Sequence, residues 1–254
     1  MEQDFLKIRN PKVSIIIATF NSVKTLRTAL DSVCNQSYKD WECIVVDGAS
    51  KDGTVAIIKE YAVKDPRVRY ISEPDKGIYD AFNKGCRMAK GEWVHYLGDD
   101  DELTENGISD LMKIPDNGAG VVSGHCHIRK IDGSLNVVRS VGLSGCHQGK
   151  LTRRSVLEQF GGFNLEYKIL ADKDLYIRMG KANTKAVNVD TFVAYFSMGG
   201  ISQRFSSLWK RTKEHFLIYK VNNCSNPLYK TIKFFTYNFL SISYRKARCF
   251  TKHK

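Results

Sequence analysis

Apolar positions along this chain follow two alternating rhythms. Val13-Ser-Ile-Ile-Ile-Ala-Thr19 is a short run rich in β-branched residues and predicts a fully buried strand. Trp41-Glu-Cys-Ile-Val-Val-Asp47 predicts a second strand, Val68 to Ile71 a third, and Trp93 to Leu97 a fourth. Between them the period lengthens. Val23, Leu26, Leu30 and Val33 lie 3, 4 and 3 residues apart, the stripe of an amphipathic helix. Thr54 to Tyr61 predicts another helix, and a third from Gly77 carries Ile78, Ala81, Phe82, Gly85 and Ala89 inward. Strands that begin near 13, 41, 68 and 93 with a helix in each gap are βαβ units. The expected fold class is α/β, a Rossmann-like, mainly parallel central sheet with helices on both faces.

Turn chemistry supports these boundaries. Asn21 is placed to cap the first helix, and Ser50 or Asp52 the second. Gly77 suits a turn and Gly85 a close helix packing. Later, Gly118 to Ser123 reads as a turn into a further strand, while 140–149 and 161–164 read as loops.

In sheets of this class ligands bind outside the carboxyl ends of the strands. Those ends carry Thr19-Phe20-Asn21, Asp47, Glu73-Pro-Asp75 and, after Gly98, the triplet Asp99-Asp100-Asp101. Adjacent carboxylates repel one another and are costly to desolvate, so the triplet calls for a cation. Hard Mg²⁺ or Mn²⁺ ions favour such oxygens and leave positions open for phosphates. The turn after the first strand, Ala18-Thr-Phe-Asn-Ser22, has no glycine, and no GxxxxGK[ST] occurs. Both glycine-rich phosphate cradles are thereby excluded, leaving an acid-and-metal mode.

Length and charge refine the picture. A chain of 254 residues suffices for one large domain, or for a domain with an appendage. No stretch approaches the roughly 18 apolar residues of a membrane span. The opening Met1 to Lys12 lacks the apolar region of a secretory signal. Seven cysteines, with no CxxC pair, read as free thiols in a reducing cytoplasm. His125-Cys126-His127 and Cys146-His147 match no common zinc spacing. Residues 201–254 hold 12 Lys/Arg against the single acid Glu214, a net +11 of the chain's +12. Nearly all excess charge is therefore in the tail. There, Leu228, Ile232, Phe235, Phe239 and Ile242 recur at 4, 3, 4 and 3 beside Lys230, Lys233 and Arg245. An apolar stripe beside a basic face suits an anionic membrane surface.

Four ordered stretches carry a family resemblance: Val13 to Asn21, Ile44-Val-Val-Asp-Gly-Ala-Ser-Lys-Asp-Gly-Thr54, Ser72-Glu-Pro-Asp-Lys-Gly-Ile-Tyr-Asp-Ala-Phe-Asn-Lys-Gly85 and Leu97-Gly-Asp-Asp-Asp101. Together they resemble glycosyltransferase family 2, with its GT-A fold, most of all bacterial members that build O-antigen, capsule or colanic-acid-type repeats. The resemblance implies inverting transfer of one sugar from a nucleotide diphosphate, usually UDP, to a lipid-linked saccharide. It implies Mn²⁺ or Mg²⁺ as cofactor and a cytoplasmic enzyme held peripherally on the inner membrane face. Thr19, Phe20 and Asn21 would lie against the nucleoside, Asp47 on the base and Ser50 nearby. Asp75, Lys76 and Gly77 would line the ribose and phosphates, and Asp80, Asn83 and Lys84 would reach the sugar or diphosphate. The metal pair is read as Asp99 and Asp101, with Asp100 a close competitor. Asp172, in Ile169 to Met179, matches the family's catalytic aspartate, the one general base that inverting transfer needs. Asp174 reads as a cap of the same helix. His147, Gln148, Arg178 and Ser202 are expected on the acceptor and diphosphate side. Gln203-Arg204 with Trp209 is not the QxxRW pattern of processive synthases.

The expected organisation is a GT-A domain over 1–204, with a nucleotide-sugar half at about 11–101 and an acceptor half at 102–204. A basic helical extension follows over 205–254. Two alternatives belong to other classes. A nucleotidyltransferase would share the acidic edge but usually carries a glycine-rich basic loop after its first strand. A nucleic-acid-binding protein would use the tail, yet the neutral core makes nucleic acid an unexpected partner. Oligomeric state is not encoded in any motif.

Overall fold

A computed structural model describes residues 10–114, 117–130, 133–198 and 205–251. The first half follows the expected rhythm: β1 Val13–Thr19, α1 Leu26–Cys34, β2 Trp41–Asp47, α2 Thr54–Lys64, β3 Val68–Ser72, α3 Ile78–Met88 and β4 Trp93–Gly98. Then come β5 Glu102–Leu103, α4 Gly107–Met112, β6 Val121–Arg129, β7 Leu135–Val138, β8 Lys150–Arg153, α5 Arg154–Gln159, α6 Ala171–Lys181 and β9 Ala186–Ser197. The chain ends in α7 Leu208–Val221 and α8 Pro227–Thr251.

One sheet unites both halves, in the order β3-β2-β1-β4-β8-β6-β9-β5 with β7 on β6. From β3 to β4 every pairing is parallel, but β8 runs antiparallel to β4 and β6, and β5 antiparallel to β9. The sheet is thus mixed, parallel from β3 to β4 and again between β6 and β9, with antiparallel strands at β8, β7 and β5. Parallel neighbours need a crossover of a dozen or more residues, and the βαβ rhythm that provides one stops at β4.

β1 shows why its run is apolar throughout. Val13, Ile15 and Ile17 face a core built with α1, α2 and α4, while Ile16 and Ala18 face one built with α3, α5 and α6. A strand buried on both sides needs no polar alternation. Gly85 lets α3 sit directly on β1, since a Cβ there would collide with Ile16. Tyr79, not Ile78, is the inward residue at the start of α3: Tyr79 is 7% exposed and Ile78 42%. Ile218 of α7 joins the second core, so α7 packs against the same face of the sheet as α3, α5 and α6.

Two capping expectations change. α1 begins at Leu26, and Asn21 instead adopts a left-handed φ of 52° with its side chain accepting Lys51 N–H at 2.9 Å. Asp52, not Ser50, serves the start of α2, accepting Thr54 N–H at 3.1 Å. Asp174 is no cap either, being buried between Arg178 and Asn222.

Two enclosed histidines make folding pH-sensitive. His95 in β4 is fully buried, its Nδ1–H donating to the Lys150 carbonyl at 3.0 Å, and burial holds its pKa down to about 4. Burial, helped by Lys173, likewise lowers His215 to about 4. Their folded pKa values lie below the unfolded value, so this stability is complete above about pH 6.5 and is lost as pH falls toward 4. Thermal melts at pH 7 and pH 5 should show a lower Tm at pH 5; a flat Tm would contradict the assignment.

Candidate active site

The carboxyl ends of β1, β2, β3 and β4 stop in register: Thr19 beside Asp47, Asp47 beside Ser72, and Ala18 beside Gly98. A line of hydrogen bonds then joins the loops. Asp47 is fully buried and accepts from Ser50 N–H at 3.0 Å, from the Ser50 hydroxyl and from Ser72 Oγ at 2.6 Å. Ser50 Oγ in turn accepts Asn21 N–H at 2.7 Å. Phe20 N–H and Ser22 Oγ both donate to Asp99. Asp47 therefore stands behind the rim, holding the loop that faces the cleft. Thr19 is buried at the end of β1, and its hydroxyl has no partner among the described residues.

Phe20 lies 60% exposed over Gly48. A Cβ on Gly48 would come within 2.8 Å of the Asp75 carboxylate and 3.1 Å of the Phe20 ring. Glycine is what lets Phe20 and Asp75 close over this turn. Asp75 accepts Gly77 N–H at 2.8 Å, and Gly77, at φ 113°, turns the chain into α3. Asp80 accepts Lys76 N–H at 3.0 Å and so closes the same helix start. Asn83 is committed elsewhere, bonding both Phe163 N–H (2.9 Å) and Phe163 C=O (2.8 Å). Lys84 is tied to Pro74 C=O and Glu73. Asp80, Asn83 and Lys84, expected to reach the sugar or diphosphate, thus brace the surroundings of α3.

The acid triplet divides. Asp101 is 2% exposed and turned inward, accepting Gln148 Nε2–H at 2.8 Å, Ser197 N–H at 3.0 Å and Gly98 N–H at 3.3 Å. Burial raises its pKa, and these donors offset only part of that. Asp100 is exposed, and among the described residues only its own backbone N–H bonds its carboxylate. Partial desolvation, then Asp101 and Asp99, push Asp100 up to about 7. Asp101, expected as a metal ligand, is thus turned inward to Gln148, Ser197 and Gly98, whereas Asp100, beside Asp99, is the exposed carboxylate of the triplet.

Asp172 sits in the first turn of α6. Its Oδ1 accepts Lys173 N–H at 2.8 Å and Tyr79 Oη–H at 3.1 Å, while Oδ2 lies 3.4 Å from His147 Nδ1. Burial works to raise its pKa, but His147, Lys173 N–H and Tyr79 outweigh it and hold the carboxyl below its usual range. His147 touches Asp172 while Gln148, its neighbour, holds Asp101. One dipeptide thus ties the acid triplet to the candidate base.

Arg178 is not on this cleft. It pairs with Asp174 at 2.8 Å and donates to the carbonyls of Phe160 and Gly162. Ser202 lies outside the described residues. His125 and His127 share a face against Phe192, His125 bonds Asp190, and no group of three metal-ligating side chains exists among the described residues. Cavities of about 220 and 300 Å³ occur elsewhere, lined by neither the triplet nor Asp172.

Reading the sequence missed several contributors. Lys150 is 1% exposed, donates to Cys146 C=O at 2.9 Å and is lowered to about 8, chiefly by burial. Tyr79 and Ser197 are also absent from the expected set. Tyr79 recurs with Phe82 and Cys86 at spacings of 3 and 4, a signal that could have placed it inward. No local pattern marks Lys150 or Ser197.

The chain matches known proteins in sequence and in fold. It is 34% identical over 179 residues to a PGL/p-HBAD biosynthesis glycosyltransferase of Mycobacterium tuberculosis, covering 66% of this chain and 69% of that one. It is 38% identical over 128 residues to the GalNAc(5)-diNAcBac-PP-undecaprenol beta-1,3-glucosyltransferase of Campylobacter jejuni, 50% of this chain and 41% of that one. In fold it resembles S. aureus TarS 1–349, solved with UDP-GlcNAc: TM-score 0.68, 22% identity, 83% of this chain and 66% of that one. The mannosyltransferase PcManGT of Pyrobaculum calidifontis, solved with GDP-Man and Mn²⁺, gives a TM-score of 0.68 at 18% identity over 93% of this chain and 72% of that one. Both support the GT-A fold. Residues 14–181, spanning β1 to α6, match the model for glycosyl transferase family 2, and the chain is a glycosyltransferase belonging to that family.

Proposed function

We propose that this chain transfers a single sugar, with inversion, from a UDP-sugar to a lipid-linked saccharide during bacterial surface polysaccharide assembly. The observation that carries this reading is the His147-Gln148 bridge between the acid triplet and Asp172. It sets a candidate base and a candidate diphosphate site at two ends of one short segment. Asp172, held ionised, would take the proton of the acceptor hydroxyl as that oxygen attacks the anomeric carbon. Oδ2 is the oxygen for this task, because Oδ1 accepts from both Tyr79 and Lys173 N–H while Oδ2 has His147 Nδ1 beside it at 3.4 Å. Direct displacement with a single base inverts the centre, and the nucleoside diphosphate departs.

A divalent cation fits the donor set. Asp100 and the second oxygen of Asp99, whose Oδ2 takes Phe20 N–H and the Ser22 hydroxyl, offer hard oxygens, and Asp100 is raised by desolvation and by its two acidic neighbours. When bound there, the ion would neutralise the leaving diphosphate. Phe20 and the Asp47–Ser50 loop would cradle the nucleoside. The relatives' UDP-GlcNAc, Mn²⁺ and undecaprenol-linked acceptor support this choice of ligands. A panel of UDP-, GDP- and dTDP-sugars, with Mn²⁺ or EDTA, tests it by thermal shift and nucleotide release. Binding of a UDP-sugar that survives EDTA unchanged would refute the metal; no binding of any sugar nucleotide would refute the donor.

The tail supports peripheral membrane contact. No helix among the described residues is long and apolar enough to cross a membrane. On α8, Leu228, Ile232, Phe239 and Leu240 are exposed, and Trp209 of α7 is 75% exposed. Phe235 is partly used, packing on Trp209 at 5.2 Å. Ile232→Ser with Leu240→Ser should reduce pelleting with anionic vesicles. Lys233→Gln should cost about 1 kcal/mol, roughly fivefold. Unchanged pelleting would remove the membrane from this reading.

A further inference from the structure

Glu214 is the single acid in the strongly basic tail, and it is only 5% exposed. From the second turn of α7 it reaches into the catalytic half. Its Oε1 accepts Lys168 N–H at 2.9 Å, and its Oε2 accepts Ile169 N–H at 2.9 Å and Leu170 N–H at 3.0 Å. Leu170 is the N-cap residue just before α6, and its own side chain makes no capping bond. The turn leading into a helix has backbone N–H groups with no partner in the helix itself, and the helix start beside it carries partial positive charge, so a carboxylate supplied from another element can hold that turn in place. Here that element is α7.

The opposite face of the same segment is held too. Tyr79 Oη donates at 2.9 Å to Ile169 C=O and at 3.1 Å to Asp172. Beyond Asp172, the Lys173 ammonium lies 5.1 Å from the Tyr219 ring and 5.2 Å from Phe234. Asn222 donates to Asp174 at 3.0 Å. The entry to α6 is therefore clamped by Glu214 and Tyr79, with the tail helices securing the residues that follow.

We propose that Glu214 is a positioning residue: by gathering three amides ahead of α6, it sets where the Asp172 carboxylate stands in the cleft. This rests on the reading of Asp172 as the base. Misplacing a reacting group by about 1 Å can cost on the order of 100-fold in rate, so a residue that never touches substrate can govern turnover.

The test compares Glu214→Gln, Asp172→Asn and the double variant in the full chain. UDP release is followed for whichever UDP-hexose turns over fastest, with UDP itself as the binding probe. Glu214→Gln places an NH₂ where a carboxylate oxygen met N–H groups. It should lower kcat about 10- to 100-fold while UDP affinity is kept, and the amides of 168–172 should exchange with solvent faster. Added to Asp172→Asn it should cost no further activity, since both act through one carboxylate. Wild-type kcat in Glu214→Gln, or a kcat loss matched by weaker UDP binding, would overturn the proposal. If Asp172→Asn turns over normally, the base assignment fails instead, and the exchange rates still report whether the clamp exists. Should Glu214→Gln not fold, Glu214→Asp, which keeps the charge but shortens the reach, gives the same comparison.

Discussion

Asp172→Asn should leave UDP bound with unchanged affinity and lower sugar transfer by about 10²- to 10⁴-fold, the contribution expected of a general base. Asparagine keeps the shape, and its oxygen can still accept from Tyr79 and Lys173 N–H, so the local fold is retained. What it cannot do is take a proton on the group now replacing Oδ2. Single-turnover transfer beside a UDP titration separates the two effects. The wild-type enzyme should also keep its base ionised well into acid. His147, Lys173 N–H and Tyr79 hold Asp172 below the ordinary carboxylate range despite burial. Loss of activity through Asp172 should therefore begin only below the pKa of about 3.9 typical of a free aspartate. Activity that survives Asp172→Asn would move the base elsewhere in the cleft.

Within the acid triplet, neighbouring carboxylates should respond in opposite ways. Asp100→Asn removes the open carboxylate and should lose about 3 kcal/mol of charge stabilisation, roughly 100-fold in kcat/KM. The metal-free protein should melt no lower, because one of three mutually repelling groups has been neutralised. Asp101→Ala should instead destabilise the fold. It strands the Gln148 amide and Ser197 N–H in the interior, at about 1–3 kcal/mol for each orphaned group. For a chain of this size that is a fall of several degrees in Tm. Melting with and without Mn²⁺, beside UDP binding, distinguishes them. If Asp101→Ala melted normally yet lost Mn²⁺-dependent UDP binding, Asp101 would be the ligand after all.

Much of the first half could be read in advance because its information is local. The runs that predict β1 and β2 end at Thr19 and Asp47, where the strands end. An apolar run can be buried on both faces only in the middle of a layered sheet, so the pattern carries the architecture with it. The family motifs added the acid triplet and Asp172 as candidates, and the structure joins them through His147 and Gln148. Helix caps were less legible. Asn21 and Ser50 are good capping residue types, yet both are used to tie the β1 and β2 loops together. A side chain that can bond locally can equally bond a loop folded against it.

The sequence alone determined the strand ends, the spacing of the acidic residues and the concentration of positive charge after residue 200, because each is written in contiguous residues. The tertiary structure alone decided which carboxylate is free. Asp99 is occupied by Phe20 and Ser22, Asp101 by Gln148 and Ser197, and Asp172 is set in place by Tyr79 and the Glu214 clamp. Those partners lie tens of residues away along the chain. A hydrogen bond depends on where two atoms meet in space, and three identical aspartates in a row carry no local mark of which one the fold will leave open.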